Sequence, residues 1–127
     1  MSYALVRRLD WRRWVVPEPL RSRPIHRWFV FPHSFTDDVV RALVSEWELG
    51  PQDRVIDTFA GAGTTILACK EVGLPAIGFD LSPLAVLACR AKVADYDVDE
   101  LRRCSRELLS QVEIAGAKSF EATPSDR

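Results

Sequence analysis

Nine residues, Asp57-Thr58-Phe59-Ala60-Gly61-Ala62-Gly63-Thr64-Thr65, constrain the fold of this chain more than any other stretch. They stand between a short β-branched run, Arg54-Val55-Ile56-Asp57, and a helical-looking segment, Thr64 to Val72, that Gly73 closes. A second apolar run, Pro75 to Asp80, follows and ends in an acid. Strand, glycine turn, helix and strand make a βαβ unit, which places the chain in the α/β class with a parallel sheet. Glycine at 61 and 63 lets the backbone turn sharply and lets a ligand lie against main-chain atoms. The N-terminus of the following helix adds unpaired N–H donors.

Helices flank this unit. Thr36 is placed to cap a helix in which Asp37 and Asp38 occupy the first turn, Val39, Val40, Leu43, Val44 and Trp47 recur at helical spacing, and Gly50-Pro51 ends the run. Ser82 caps a further helix with Pro83 at its first position, reaching about Val93. Asp97 and Glu100 have capping-box spacing and open a last helix, whose apolar stripe is Val98, Leu101, Cys104 or Ser105, Leu108 and Val112. From Gly116 the periodicity fades, which predicts a flexible tail over 116–127. Before the first helix, prolines at 17, 19, 24 and 32 predict an extended arm over Val15 to Pro32.

Charge divides along the chain. The 127 residues carry a net charge of −1, yet residues 1–30 hold seven arginines (7, 8, 12, 13, 21, 23 and 27) against Asp10 and Glu18, a local +5. Trp11, Trp14 and Trp28 are interleaved with them, a mixture that suits phosphate contact and base stacking. A solvated arm whose tryptophans pack on the domain behind it is the other reading. Apolar residues at 47% and charged residues at 28% exclude general disorder. No stretch approaches a membrane span, and the N-terminus lacks the apolar core of a secretory signal, so a cytoplasmic protein without membrane partners is expected. Cys69, Cys89 and Cys104 form neither a CxxC pair nor a Cys/His cluster; they read as core or helix-face residues, and no metal site is expected.

The chemistry around the turn narrows the ligand. Asp80 lies seventeen residues after Gly63 at a strand end, where a carboxylate accepts hydrogen bonds from both hydroxyls of a ribose. A dinucleotide fingerprint needs a third glycine at 66, where Ile66 stands, and a phosphate-cradling loop needs a Gly-Lys-Ser or Gly-Lys-Thr ending that is absent. Asp57, just before the turn, repels phosphate and attracts an ammonium group. S-adenosylmethionine combines that amine with a ribose and a sulfonium.

The stretch DTFAGAGTT resembles the D-P-F-x-G-x-G-T-T cofactor motif of S-adenosylmethionine-dependent DNA methyltransferases that modify exocyclic amino groups, the N4-cytosine and N6-adenine enzymes. The likeness extends to IHRWFVFPHSF, from Ile25 to Phe35, which is similar to the segment that closes over the cofactor's methionine end. It also includes GFDLSPLAVLACRAK, Gly78 to Lys92, which is similar to the second strand with its ribose-binding acid. It covers roughly residues 25–115 and departs at Thr58, where the family has proline. The resemblance implies a partial Rossmann-like methyltransferase fold and a cofactor site of Asp57, Phe59, Ala60, Gly61, Gly63, Thr64, Thr65, Asp80 and Leu81. In it Asp57 holds the amino group, the glycines admit the methionine and ribose parts, and Asp80 binds the ribose hydroxyls. His33 lies in the segment expected near the cofactor, whereas His26 has no assigned role, and both read as surface or packing histidines rather than catalytic ones. Related RNA methyltransferases carry similar turns, and Thr64-Thr65 leans toward the DNA group.

An exocyclic amine is a weak nucleophile, and in the resembling family a D/N/S-P-P-Y/F/W motif accepts its protons while the aromatic ring stacks on the flipped base. The eight prolines here, at 17, 19, 24, 32, 51, 75, 83 and 124, include no adjacent pair, so no catalytic residue is assigned. Two strands also make an incomplete sheet, with an open edge on the first. The expected organisation is a basic arm (1–24), the cofactor-binding part of a methyltransferase domain (25–115) and the tail (116–127). DNA is the expected substrate, and a complementary part would supply catalysis. A non-catalytic S-adenosylmethionine-binding module, a remnant regulating a larger methyltransferase, and a different Rossmann-type binder are the alternatives.

Overall fold

The computed structural model describes residues 7–31 and 33–121, and the chain divides into two units, residues 1–94 and 95–127. In the first, helix α1 (Asp37–Glu46) precedes strand β1 (Val55–Asp57), helix α2 (Thr64–Glu71), strand β2 (Ala76–Gly78) and helix α3 (Pro83–Val93). The strands are parallel, with Val55 opposite Ala76, Ile56 opposite Ile77 and Asp57 opposite Gly78. They are shorter than the apolar runs that predict them, although main-chain bonds continue past their ends: Phe79 N–H donates to Asp57 O at 2.9 Å, and Ala60 N–H to Phe79 O at 2.9 Å.

The period-2 alternation of a strand decides where the core lies. Val55 and Ala76 pack on the core of Val40, Ala68, Cys69 and Leu74 beneath α1 and α2, joined by Phe35, Val44 and Leu49. Ile56 and Ile77, between them in register, remain 64% and 46% exposed. The sheet is therefore covered on one face only, and the α/β architecture with an incomplete sheet follows. α3 lies against α2.

Helix starts follow their sequence signals with one exception. Ser82 Oγ accepts from Ala85 N–H at 3.3 Å and Pro83 opens α3. Thr36 stands at the N-cap of α1, but its hydroxyl donates to Asp38 Oδ2 at 3.1 Å and leaves the helix N–H groups alone. The Asp38 carboxylate in the first turn accepts the hydroxyl proton in a charge-assisted bond and so sets the hydroxyl's orientation.

The arm departs from expectation. Instead of an extended segment from Val15 on, residues Glu18–Ser22 and His26–Trp28 form 3-10 turns, and Leu9–Trp14 ahead of them forms another. Proline's fixed φ suits such a turn and its carbonyl still accepts, as Pro17 O does from Leu20 N–H at 3.0 Å. Tertiary bonds hold the arm down: Thr36 N–H donates to Trp14 O at 2.7 Å, Arg8 donates to both oxygens of Glu46 at 2.8 and 2.9 Å, and Arg23 pairs with Asp37 and Asp38. Arg8 also lies 4.3 Å over the Trp11 ring, and Arg13 5.5 Å over that of Trp14. Part of the arm's basic charge is thus committed within the chain. Lys92 of α3 is buried and donates to Phe29 O at 2.6 Å, with burial pushing its pKa down.

In the second unit, helix α4 (Val98–Glu121) starts where Asp97 Oδ1 accepts from the N–H groups of Asp99 and Glu100. It continues through Gly116 to Glu121, past the point where fading periodicity predicts a tail; residues 122–127 lie outside the described residues. Its stripe of Val98, Leu101, Leu108 and Val112 is exposed. No helix among the described residues is long and apolar enough to cross a membrane.

Candidate functional site

Asp57 ends β1 and Asp80 stands two residues past the end of β2, and the Oδ1 of each closes an Asx turn. Asp57 Oδ1 accepts from Phe59 N–H at 3.0 Å, and Asp80 Oδ1 from Ser82 N–H at 2.8 Å. The second oxygens diverge. Asp57 Oδ2 accepts from the Thr65 hydroxyl at 2.5 Å and ties the strand end to the first turn of α2. Asp80 Oδ2 accepts from Gly61 N–H at 2.8 Å and ties β2 to the glycine turn. The N–H groups of Ser82, Gly61 and Leu81 hold the Asp80 carboxyl below the usual carboxylate range.

Between the turn and the arm opens a cleft of 360 Å³, within the size range of small-molecule sites. Five of the residues expected from the sequence line it: Phe59, Ala60, Gly61, Thr64 and Asp80. Four do not. Asp57 and Thr65 line a separate apolar groove of 290 Å³ between α1 and β1, with Phe35, Val40 and Trp47 among its walls. Leu81 is fully exposed on another side of Asp80. Gly63 is buried at φ +81°, and a Cβ there would stand 2.5 Å from Cys89 Sγ and 3.2 Å from Cys89 Cα. Packing of α3 on α2 demands that glycine. Gly61, at φ +52°, has only the Phe31 ring edge near its missing Cβ, at 3.8 Å, on the cleft wall.

Phe31, His33, Ser34 and Phe35 form the opposite wall, and Ser82 and Ala85 the floor toward α3. Within the 25–35 segment the sequence singles out only His33, which lines the cleft, and it points to Ser82 only as a helix cap. The Asp-x-Ser spacing of an Asx turn was the signal available for Ser82. Phe59, 86% exposed, projects beside the cleft. Gly78 admits no Cβ either, because Ala60 Cβ would lie 2.8 Å away, so β2 passes tightly behind the turn.

A cleft at the C-terminal ends of parallel strands, walled by a glycine turn and an oriented acid, stands where open α/β sheets take their ligands. The profile of the DNA methylase family (N6_N4_Mtase) matches residues 13–88, more than half of the chain, and the chain belongs to that family. It is 31% identical over 99 residues to the type II methyltransferase M.BsoBI of Geobacillus stearothermophilus, a stretch covering 76% of this chain and 19% of that protein. With the type II methyltransferase M.AvaI of Nostoc sp. it shares 39% over 64 residues, 50% of this chain and 13% of that one. A tRNA (guanine(10)-N2)-dimethyltransferase of Methanothermobacter thermautotrophicus is 26% identical over 91 residues, 69% of this chain and 27% of that protein. The chain thus spans a fifth or less of the length of the two type II relatives. No solved structure matches it.

Proposed function

We propose that this chain is the S-adenosylmethionine-binding part of a methyltransferase acting on exocyclic amino groups of DNA bases, and that a complementary part supplies the catalytic motif. The observation that carries the reading is Asp80, oriented by two backbone N–H groups at the mouth of a cleft whose other wall is the Phe59-Ala60-Gly61 turn. With both oxygens fixed from behind, the carboxylate keeps lone pairs for two ribose hydroxyls. Gly61 and Ala60 offer a wall without bulk, and Phe31 and Phe59 offer apolar surface to an adenine ring. The residues fit the cofactor, which would supply an electrophilic methyl group on its sulfonium. Asp57 here holds the turn in shape through Phe59 and Thr65.

The type II relatives support DNA as substrate. The lack of adjacent prolines and the bare face of the two-stranded sheet support dependence on a complementary part. Calorimetric titration with S-adenosylmethionine is expected to give one site per chain. Labelled cofactor offered with DNA or RNA oligonucleotides is expected to transfer no methyl until the complementary part is added, and then to DNA. Absence of cofactor binding, together with tight binding of a dinucleotide, overturns the cofactor assignment; unaided transfer overturns the division of labour. Cofactor binding with no transfer under any combination leaves a non-catalytic module, the second reading, which the missing proline pair favours.

A further inference from the structure

Away from the cleft, three segments distant in sequence converge. His26 from the last turn of the arm, Asp37 from the first turn of α1 and Glu71 from the last turn of α2 each place one donor atom within 4.8 Å of the others. His26 and Asp37 are 2% and 1% exposed. Neither ring nitrogen of His26 has a hydrogen-bond partner, and neither does Asp37 Oδ1. A buried polar atom left without a partner is destabilising, so one ring nitrogen of His26 and Asp37 Oδ1, brought together with Glu71, call for a common partner.

We propose that His26, Asp37 and Glu71 bind a divalent transition-metal cation of the zinc type, which pins the arm to α1 and α2. One imidazole and two carboxylates are a donor set that such ions accept, with a further position open to water. Both carboxylates are already braced. Asp37 Oδ2 accepts from Arg23 and, at 3.1 Å, from Arg41 Nε; Glu71 Oε2 accepts from Arg41 Nη2 at 2.5 Å. Hydrogen bonds of this kind orient ligating carboxylates. Burial also favours neutral His26, against the pull of Asp37 and Glu71, and the neutral ring has a lone pair to donate.

The local charge is balanced before any cation enters: Arg23, Arg41 and Lys92 face Asp37, Asp38 and Glu71. Ligation rather than net charge must therefore hold the ion. His26 Nε2 stands 3.9 Å from Glu71 Oε2, and ligand atoms around tetrahedral zinc stand about 3.3 Å apart, so modest side-chain rotation closes the set. The cluster does not line the cleft, which makes the role structural. The sequence signal for it is weak because the donors are scattered and Cys/His spacing plays no part.

The test uses the full chain, stripped with a chelator and titrated with zinc chloride by calorimetry while the His26 ring nitrogens are followed by NMR. One-to-one binding, a moved His26 ring resonance and a raised melting temperature are expected. His26→Gln and Glu71→Gln should each weaken binding at least about tenfold; Glu71 is one-third exposed, so its variant keeps the fold testable if the His26 variant does not fold. No zinc binding, binding with the His26 ring unmoved, or binding that Glu71→Gln leaves unchanged overturns the proposal.

Discussion

Two glycines and two aspartates at the strand ends share the same local geometry, and the structure sets them to opposite uses. Gly61 and Asp80 face the cleft, bonded to each other through the Gly61 N–H, with the Phe31 ring across from the glycine. Gly63 and Asp57 face inward: the glycine lies against Cys89 of α3, and the acid is bonded to Thr65 of α2. Residue type alone cannot separate the pairs, since each glycine has positive φ and each acid closes an Asx turn. What separates them is the element each side meets. The division predicts that stability and ligand affinity respond to different members of the motif.

The largest effect is expected at Gly63. Alanine there combines a left-handed φ with a contact that α3 must move to relieve, and should cost roughly 3 kcal/mol of stability in urea unfolding. Gly61→Ala, with room beside Phe31, should cost only about 1 kcal/mol and show its main effect on affinity. Equal losses of stability at the two positions would erase the distinction between them.

Asp80→Ala comes next. Two charge-assisted hydrogen bonds to a ribose are together worth about 100-fold in affinity for S-adenosylmethionine, read by calorimetry, and Asp80→Asn should recover part of it. The pH profile sharpens the same point. A carboxyl whose pKa is lowered in the native state contributes stability that is fully present above the unfolded-state value and is lost as pH falls through the lowered one. Affinity and stability contributions from Asp80 should therefore stay flat from neutrality to about pH 4 and decline only below it. A decline centred near neutrality would assign the affinity to another group.

Much of this was legible in the chain. The βαβ unit, the Ser82 and Asp97 caps and the acid at the end of β2 rest on local periodicity and spacing, which a linear reading captures. The inward half of the motif was not legible, because its cause is tertiary: nothing near Gly63 in sequence announces Cys89, twenty-six positions on. The arm departs from its sequence pattern for a related reason. Proline content argues for extension, but Leu20 and His26 are buried and Arg8 and Arg23 find carboxylates on α1, and those long-range contacts fold it into 3-10 turns. The cleft wall of Phe31, Ser34 and Phe35 follows on that folded arm, so of the segment only His33 could be singled out from the sequence.

Asp57 and Thr65 provide the finest cut. Asp57→Asn keeps an acceptor for Phe59 N–H but weakens the bond from Thr65, and should lower stability by about 1.5 kcal/mol. Thr65→Val removes the hydroxyl while keeping the buried volume, and should lower it by about 1 kcal/mol. Because both changes act on one hydrogen bond, the double variant should lose less than the sum of the two. Neither should shift S-adenosylmethionine affinity by more than a few-fold, since neither residue lines the cleft. If Asp57→Asn instead weakened the cofactor as strongly as Asp80→Ala while Thr65→Val did not, the carboxylate would be contacting the ligand directly. The inward half of the motif would then have to be divided between framework and site.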